Sequence, residues 1–197
     1  MPRPRTLLLP LLVALPAALV AALGLLHPVF LTPDTAERWR LLHLALLPAF
    51  PLLAGSVWFV LRGERGPAAW GARLMAGAYA VLYGALDAIA GVGAAHQVVR
   101  TADRGDARPP IEDLYDIADP LGALGVYALA ASAILTGLVL SRRNLPLAIA
   151  GAVVVAGASY PLLRHHVFPP RGVLAVAAIG VGLALLEAAR VSRPGRG

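Results

Sequence analysis

Histidine is the residue type in this chain that is best suited to bind a metal ion. Its five copies are His27, His43, His96, His165 and His166. Each copy falls near the end of a long apolar segment, and on the topology derived below all these ends lie on one side of a membrane. Neutral imidazoles are common metal ligands, and the ends of several helices can converge on one ion. The pattern predicts an outer-leaflet site for a metal ion or for a haem b with histidine axial ligands.

Acidic residues near the same side could complete such a site. Asp113 and Asp116 would supply oxygen ligands or hold the outer N–H groups of the histidines. We expect His43 and His96 to be the strongest ligands, because His43 lies one turn inside Arg40 and is deeper than a surface anchor needs to be.

The alternative is that the histidines are interfacial residues without a ligand. A helix C-terminus favours the charged form of histidine, which would suit His165 and His166 at the end of an apolar helix. Adjacent helical residues also point about 100° apart, so this pair would share one ion only where the helix unwinds. The sequence has no HExxH or other recognised metal motif.

Asp87 is the second candidate, because it is an acid deep in the third apolar segment, with Tyr83 and Tyr79 one and two turns before it. A charged side chain at the centre of a bilayer costs about 2.5–3.5 kcal/mol, so Asp87 should face protein or water. It is either a proton-titrating or cation-binding carboxylate, or a protonated acid bonded across helices to a carbonyl or to a hydroxyl such as that of Tyr83 or Tyr160. His96, nine residues further on, is expected on the opposite face of the helix.

Composition identifies the elements that must position these residues. Hydrophobic residues make up 58%, charged residues 14%, and the mean hydropathy is +0.72, which indicates an integral membrane protein. The net charge of +6 comes from arginines scattered among helix ends, so lipid headgroups are the expected partner and nucleic acid is not. All 17 basic residues are arginine, which together with the many alanines and glycines suggests a bacterial cytoplasmic (inner) membrane protein. The absence of cysteine excludes disulfides and thiolate ligands.

The sequence predicts an all-α bundle of six transmembrane helices with short loops, forming one domain over residues 1–197. The predicted spans are 6–26, 39–61, 70–98, 121–140, 146–163 and 173–189. The first could instead be a signal peptide, since Arg3 and Arg5 precede it, but its length favours a retained helix.

Arginine placement predicts the orientation. With six spans both tails share a side, which carries ten of the 17 arginines: Arg3, Arg5, Arg62, Arg65, Arg73, Arg142, Arg143, Arg190, Arg193 and Arg196. The other seven are Arg38, Arg40, Arg100, Arg104, Arg108, Arg164 and Arg171. By the positive-inside rule both termini are cytoplasmic.

Three further patterns concern local structure. "IEDLYDIADP", residues 111–120, predicts a short amphipathic surface helix, with Asp119 and Pro120 as N-cap and first residue of the fourth span. Gly77, Gly84 and Gly91 recur every seven residues and predict a groove for a second copy or a partner membrane protein. Pro48 and Pro51 predict a kink in the second span, which is either a static packing device or a hinge.

No serine–histidine–acid order and no glycine-rich phosphate loop occurs, so the sequence predicts no particular reaction and favours a non-enzymatic role. Three hypotheses follow: a metal-binding or haem protein, a small proton-coupled transporter using Asp87, and a non-catalytic accessory or assembly subunit. The several-histidine, six-span layout resembles that of the b561-type cytochromes, which implies histidine pairs towards both membrane faces. This chain has no histidine towards the inner face, which argues against two haems but not against one haem or one metal ion.

Overall fold

The computed structural model describes residues 4–104 and 111–192, with side chains in the first helix from residue 8 onward. Within these ranges the chain is helical and forms no β-strand. The helices are α1 (Pro4–Leu25), α2 (Pro33–Val60), α3 (Pro67–Leu86), a π-helical segment (Asp87–Gly93), α4 (Ala94–Arg104), α5 (Glu112–Leu140), α6 (Leu145–His165) and α7 (Arg171–Val191).

Six helical stretches are long and apolar enough to cross a membrane, as the sequence predicts. They are Leu8–Leu25, Pro33–Val60, Pro67–Arg104, Glu112–Leu140, Leu145–His165 and Arg171–Val191. The second and third stretches are longer than the predicted spans, because polar turns at the histidine-bearing end continue as helix beyond the apolar run.

The six stretches pack in sequence order around a ring, in which α1, α2, α3, α5, α6 and α7 each contact the next and α7 closes onto α1. Large apolar side chains fill the interior, including Leu46, Phe50, Leu129 and Leu183 at 0% exposure. The outer surface is also apolar, with Val81 at 72% exposure. A protein that is apolar on both sides of its helices suits a lipid environment.

Small residues bring neighbouring helices together. A Cβ at Gly151 would lie 2.8 Å from the carbonyl oxygen of Gly182, and a Cβ at Gly137 would lie 2.6 Å from the Cβ of Ala152. Close backbone approach of this kind is typical of helix pairs in membranes, where packing and not hydrophobic burial drives association.

The fourth span begins earlier than predicted, and the interpretation of Asp119 and Pro120 as N-cap and first residue is wrong. Helix α5 runs without interruption from Glu112, and Pro120 lies inside it. Proline removes one backbone donor, which leaves the carbonyl of Asp116 without its helical partner, but Asp116 and Pro120 are both exposed. Two acids in the first turn also favour a helix that starts at Glu112.

The third membrane stretch contains the π-helical segment Asp87–Gly93 between α3 and α4. A π turn holds more residues than an α turn. The side chains that follow it therefore point in directions that are rotated relative to those of the helix before it. Such segments are frequent at functional sites. This one packs against α2 and α5, where it directs Asp87 and Gly91 into the bundle.

An ion-pair network lies at the end of the bundle where α2 and α7 have their C-termini. Glu187 is 0% exposed and accepts hydrogen bonds from Arg190, as its spacing predicts, at 2.9 and 3.0 Å. It also accepts two from Arg62, in the turn that follows α2, at 2.5 and 2.9 Å, which sequence spacing does not indicate. This carboxylate therefore ties α7 to α2.

Candidate metal centre

Three histidines from distant parts of the chain meet at one end of the bundle. His27 lies in the connection between α1 and α2, His43 lies on α2, and His166 directly follows α6. One ring nitrogen of each lies within 4.8 Å of the others, and the Nε2 atoms of His27 and His43 are 3.4 Å apart. With bonds of about 2.0–2.1 Å to a tetrahedral ion, ligand nitrogens stand about 3.3 Å apart. The group is thus close to the size that one ion requires.

The second ring nitrogen of each histidine is already held. His43 Nδ1 lies 2.8 Å from the carbonyl oxygen of Trp39, and His27 Nδ1 lies 2.7 Å from that of Pro28. Because a carbonyl can only accept, both Nδ1 atoms carry the proton in the neutral rings, which leaves two Nε2 lone pairs facing each other. His166 Nδ1 is paired with the Tyr83 hydroxyl at 2.7 Å. This is the arrangement in which an outer partner fixes the tautomer of a metal-binding histidine.

Asp87 lies beside the three rings. Its Oδ1 atom is 3.8 Å from His43 Nε2 and 4.0 Å from His166 Nε2, and the residue is 0% exposed. Within the described part of the chain, His166 Nε2 has no hydrogen-bond partner, and neither carboxylate oxygen of Asp87 has one. A buried carboxylate without a partner is costly, and a cation between Asp87 and the imidazoles would remove that cost.

The expected hydrogen bond from Tyr83 or Tyr160 to Asp87 is not formed. The Tyr83 hydroxyl is bonded to His166 instead, and Tyr160 is 68% exposed on the outside of the bundle. Tyr79 is fully buried one turn below Tyr83, with ring centroids 5.4 Å apart.

The surroundings keep the two loop histidines in the form that binds metal. Burial lowers the pKa of His27, and the positive charge of Arg38 lowers it further, against an opposing effect of the hydrogen bond to Pro28. Burial also lowers the pKa of His166 well below its ordinary value, with smaller contributions from His43 and His27. Neutral imidazole is the form that coordinates a metal ion.

Glycines make room for the site. The His43 ring lies on Gly91 of the π-helical segment, where a Cβ would overlap the ring. His166 has φ 46° and ψ −134°, a backbone conformation that non-glycine residues rarely adopt, and this turn directs its ring inward. The turn fits between α1 and α7 because Gly24 and Gly172 have no Cβ. A Cβ at either position would overlap the backbone of residues 166–167.

Aromatic side chains enclose the three histidines. Phe168 and Trp39 lie 4.3 and 4.5 Å from the His27 ring, measured between centroids, and Trp39 stacks on His43 at 5.2 Å. Phe50 lies 5.8 Å from the His166 ring. This wall shields His27 and His43 from water, since they are 4% and 2% exposed, and strengthens electrostatic interactions inside it.

The other predicted site residues lie elsewhere. His96 is exposed on α4, Asp113 and Asp116 are exposed near the start of α5, and His165 is half-buried next to His166. Among the described residues the group that could hold an ion consists of His27, His43 and His166. The glycine groove is also divided, since Gly77 and Gly84 have open space beside them while Gly91 packs inside the bundle.

The sequence carried one signal for this grouping, which is that the histidines cluster at one end of the spans. Their pairing with Asp87 depends on the π-helical segment and on the ring order of the helices, neither of which the spacing of residues reveals. No protein-family model matches this chain, and neither a curated protein nor a solved structure matches it.

Proposed function

We propose that this chain is a membrane metalloprotein that binds one transition-metal ion through His27, His43 and His166. Asp87 supplies the neighbouring negative charge, as a fourth ligand or through a water bound to the ion. The observation that carries the proposal is the meeting of two Nε2 lone pairs 3.4 Å apart with a third Nε2 and a buried carboxylate that have no hydrogen-bond partner among the described residues.

The ligand set indicates the class of ion. Three imidazoles and one carboxylate suit zinc, and also iron, copper or nickel, whereas calcium and magnesium prefer oxygen ligands. One carboxylate balances half of a divalent charge, so a doubly charged ion leaves the centre with a single positive charge.

A single ion fits this site better than a haem b does. The imidazole ring centroids of His27 and His43 are 4.9 Å apart, Trp39 contacts both rings, and Phe168 contacts the His27 ring. A porphyrin would have to enter between the two rings and displace these aromatic side chains, because axial histidines bind opposite faces of its plane.

The arginine distribution supports a bacterial cytoplasmic membrane protein with both termini inside, which would put the metal centre near the outer face. Four arginines of that count, Arg3, Arg108, Arg193 and Arg196, lie outside the described residues. Reporter tags at the two termini and in the 105–110 segment test this orientation. The transporter and accessory-subunit hypotheses stay predictions, since no contact of Asp87 specifically favours either one.

The test is the metal content of the full-length protein, purified in detergent, by inductively coupled plasma mass spectrometry. We expect about one transition-metal ion per chain, and loss of most of it in His43→Ala and in His166→Ala. His96→Ala is the matched control, because His96 is exposed and lies outside the group, and it should keep the ion.

Two results would contradict the proposal. One is a metal content below roughly a tenth of an ion per chain after apo protein is reconstituted with zinc, copper, iron and nickel salts. Non-specific carry-over alone could give such a content. The other is equal metal loss in His43→Ala and His96→Ala. A Soret absorption band in the parent protein that disappears in His43→Ala would show that the site holds a haem and not a single ion.

A further inference from the structure

A cavity of about 440 Å³ opens beside the metal centre, between α3, α5 and α6. Its volume lies in the range of small-molecule sites, about 300–1,000 Å³. Its inner wall includes Leu86, Val126 and Leu162, and the side chains of Tyr83 and His166 form part of its lining. The interior is therefore mostly apolar with a polar end at the histidines.

Charged side chains stand at one end of this cavity. Helix α5 begins and α6 ends at the histidine end of the bundle, so Asp119 and Arg164 both line the cavity there. Asp119 and Arg164 are exposed, and neither has an ion-pair partner among the described residues. Opposite charges that face an opening without pairing with each other complement a ligand that carries both signs.

The cavity also opens sideways, towards the part of the bundle surface that suits lipid. Tyr127 lines it and is 60% exposed, and its neighbour Leu124 is 55% exposed on the outer surface of α5. A ligand that comes from the bilayer can therefore enter between α5 and α6 without crossing water. A phospholipid combines an apolar chain with a headgroup at the depth of the helix ends.

We propose that this cavity binds a zwitterionic phospholipid, with an acyl chain between α5 and α6 and the headgroup between Asp119 and Arg164. The lipid phosphate pairs with Arg164, the headgroup ammonium pairs with Asp119, and the upper chain covers His166. The site goes beyond metal binding and does not depend on it, because neither charged residue belongs to the histidine group.

The test uses full-length protein in nanodiscs that contain a small fraction of phosphatidylethanolamine with a diazirine in its acyl chain. After illumination, peptide mapping locates the labelled residues. We expect saturable labelling on the cavity walls of α5 and α6, competed by unlabelled phosphatidylethanolamine. Ala123→Phe fills the cavity and should reduce this labelling roughly tenfold, while Leu124→Phe on the exposed face of the same helix is the matched control and should not.

A second pair of variants tests the headgroup without changing the packing. Arg164→Gln and Asp119→Asn should each weaken competition by phosphatidylethanolamine roughly threefold, the effect of one exposed charged contact, and should not change competition by diacylglycerol. Labelling that is equal in Ala123→Phe and Leu124→Phe, or that spreads evenly over exposed positions such as Leu124, overturns the proposal.

Metal content is measured on the same samples. Loss of cavity labelling with the ion still present overturns the lipid site alone, and absence of the ion with labelling intact overturns the metal centre alone.

Discussion

Gly91 lies directly against the ring of His43, so closely that a Cβ on Gly91 would overlap the ring carbons. The contact joins the π-helical segment to α2 at the proposed metal centre. The same segment begins at Asp87, whose carboxylate faces the same ring from 3.8 Å. One short stretch of irregular helix thus sets both the room available to a ligand and the charge beside it.

Gly91→Ala is therefore expected to displace the His43 ring. Overpacking of this kind costs about 1–3 kcal/mol, and displacement of a ligand should lower metal affinity roughly 10- to 100-fold. Competition with a chelator of known affinity measures the change. Gly84→Ala is the matched control, since a Cβ there meets nothing within 4 Å, and an equal loss in both variants would contradict the packing argument.

Tyr83→Phe removes the hydroxyl that holds His166 Nδ1 at 2.7 Å. Loss of such an outer partner typically lowers metal affinity about 10- to 100-fold, while the ring still fills its space. Tyr127→Phe is the control, because Tyr127 lines the same cavity but is 60% exposed. Unchanged affinity in Tyr83→Phe would show that this hydrogen bond does not orient a ligand.

Asp87→Asn should change the stability of the metal-free and the metal-loaded protein in opposite directions. Without an ion, the variant replaces a buried carboxyl group that has no partner within the described chain by an amide that does not ionise, so its melting temperature should rise. With an ion, the variant loses the neighbouring charge, so the stabilisation gained on metal addition should shrink. Asp116→Asn, at an exposed position, should do neither. Lower stability of the Asp87 variant in the absence of metal would contradict the account of an unsatisfied carboxylate.

The membrane spans could be predicted from sequence because hydropathy is a local property. The start of α5 could not, since Pro120 usually begins a helix and only the preceding turns, which are polar and exposed, show that this helix begins at Glu112. Helix ends at a membrane surface lack the apolar pattern by which the spans are recognised.

The metal centre could be predicted only in part. Its candidates include all three histidines and Asp87, but the sequence analysis preferred His96, which is exposed, to His27, which is 4% exposed. His27 is buried because the α1–α2 connection folds over the end of the bundle, where Arg38 donates a hydrogen bond to the Leu26 carbonyl at 2.6 Å. A loop contact of this kind has no periodic signature in the sequence.

The Glu187 network should contribute to stability and not to metal binding. Glu187→Gln removes the charge that two arginines share and leaves them facing each other, so we expect a loss of about 3 kcal/mol. Glu37→Gln breaks an exposed pair with Arg40 and should leave the melting temperature unchanged. Thermal melts in detergent, with metal content on the same samples, check both. Loss of the ion in folded Glu187→Gln protein would contradict the separation of the two ends.

Acid should destabilise the metal-free protein through its buried histidines. The pKa values of His27 and His166 are lowered in the folded state, chiefly by burial, so below about pH 6.5 the unfolded chain takes up protons that the folded chain does not. Stability therefore falls as the pH drops below that value, by up to about 1.4 kcal/mol per pH unit for each histidine. The groups facing them are Arg38, whose charge opposes protonation of His27, and His43, Asp87 and Tyr83 around His166.

Melting temperatures of the apo protein at pH 5, 6, 7 and 8 measure this slope. His27→Gln should make the slope shallower, because one of the two groups is gone, and His96→Gln should leave it unchanged, since His96 is exposed. Added metal should steepen the dependence below pH 6.5, because protons compete with the ion for the same nitrogen atoms. Equal slopes in His27→Gln and the parent protein would mean that these imidazoles are not held neutral. They would then be unsuited to the metal centre.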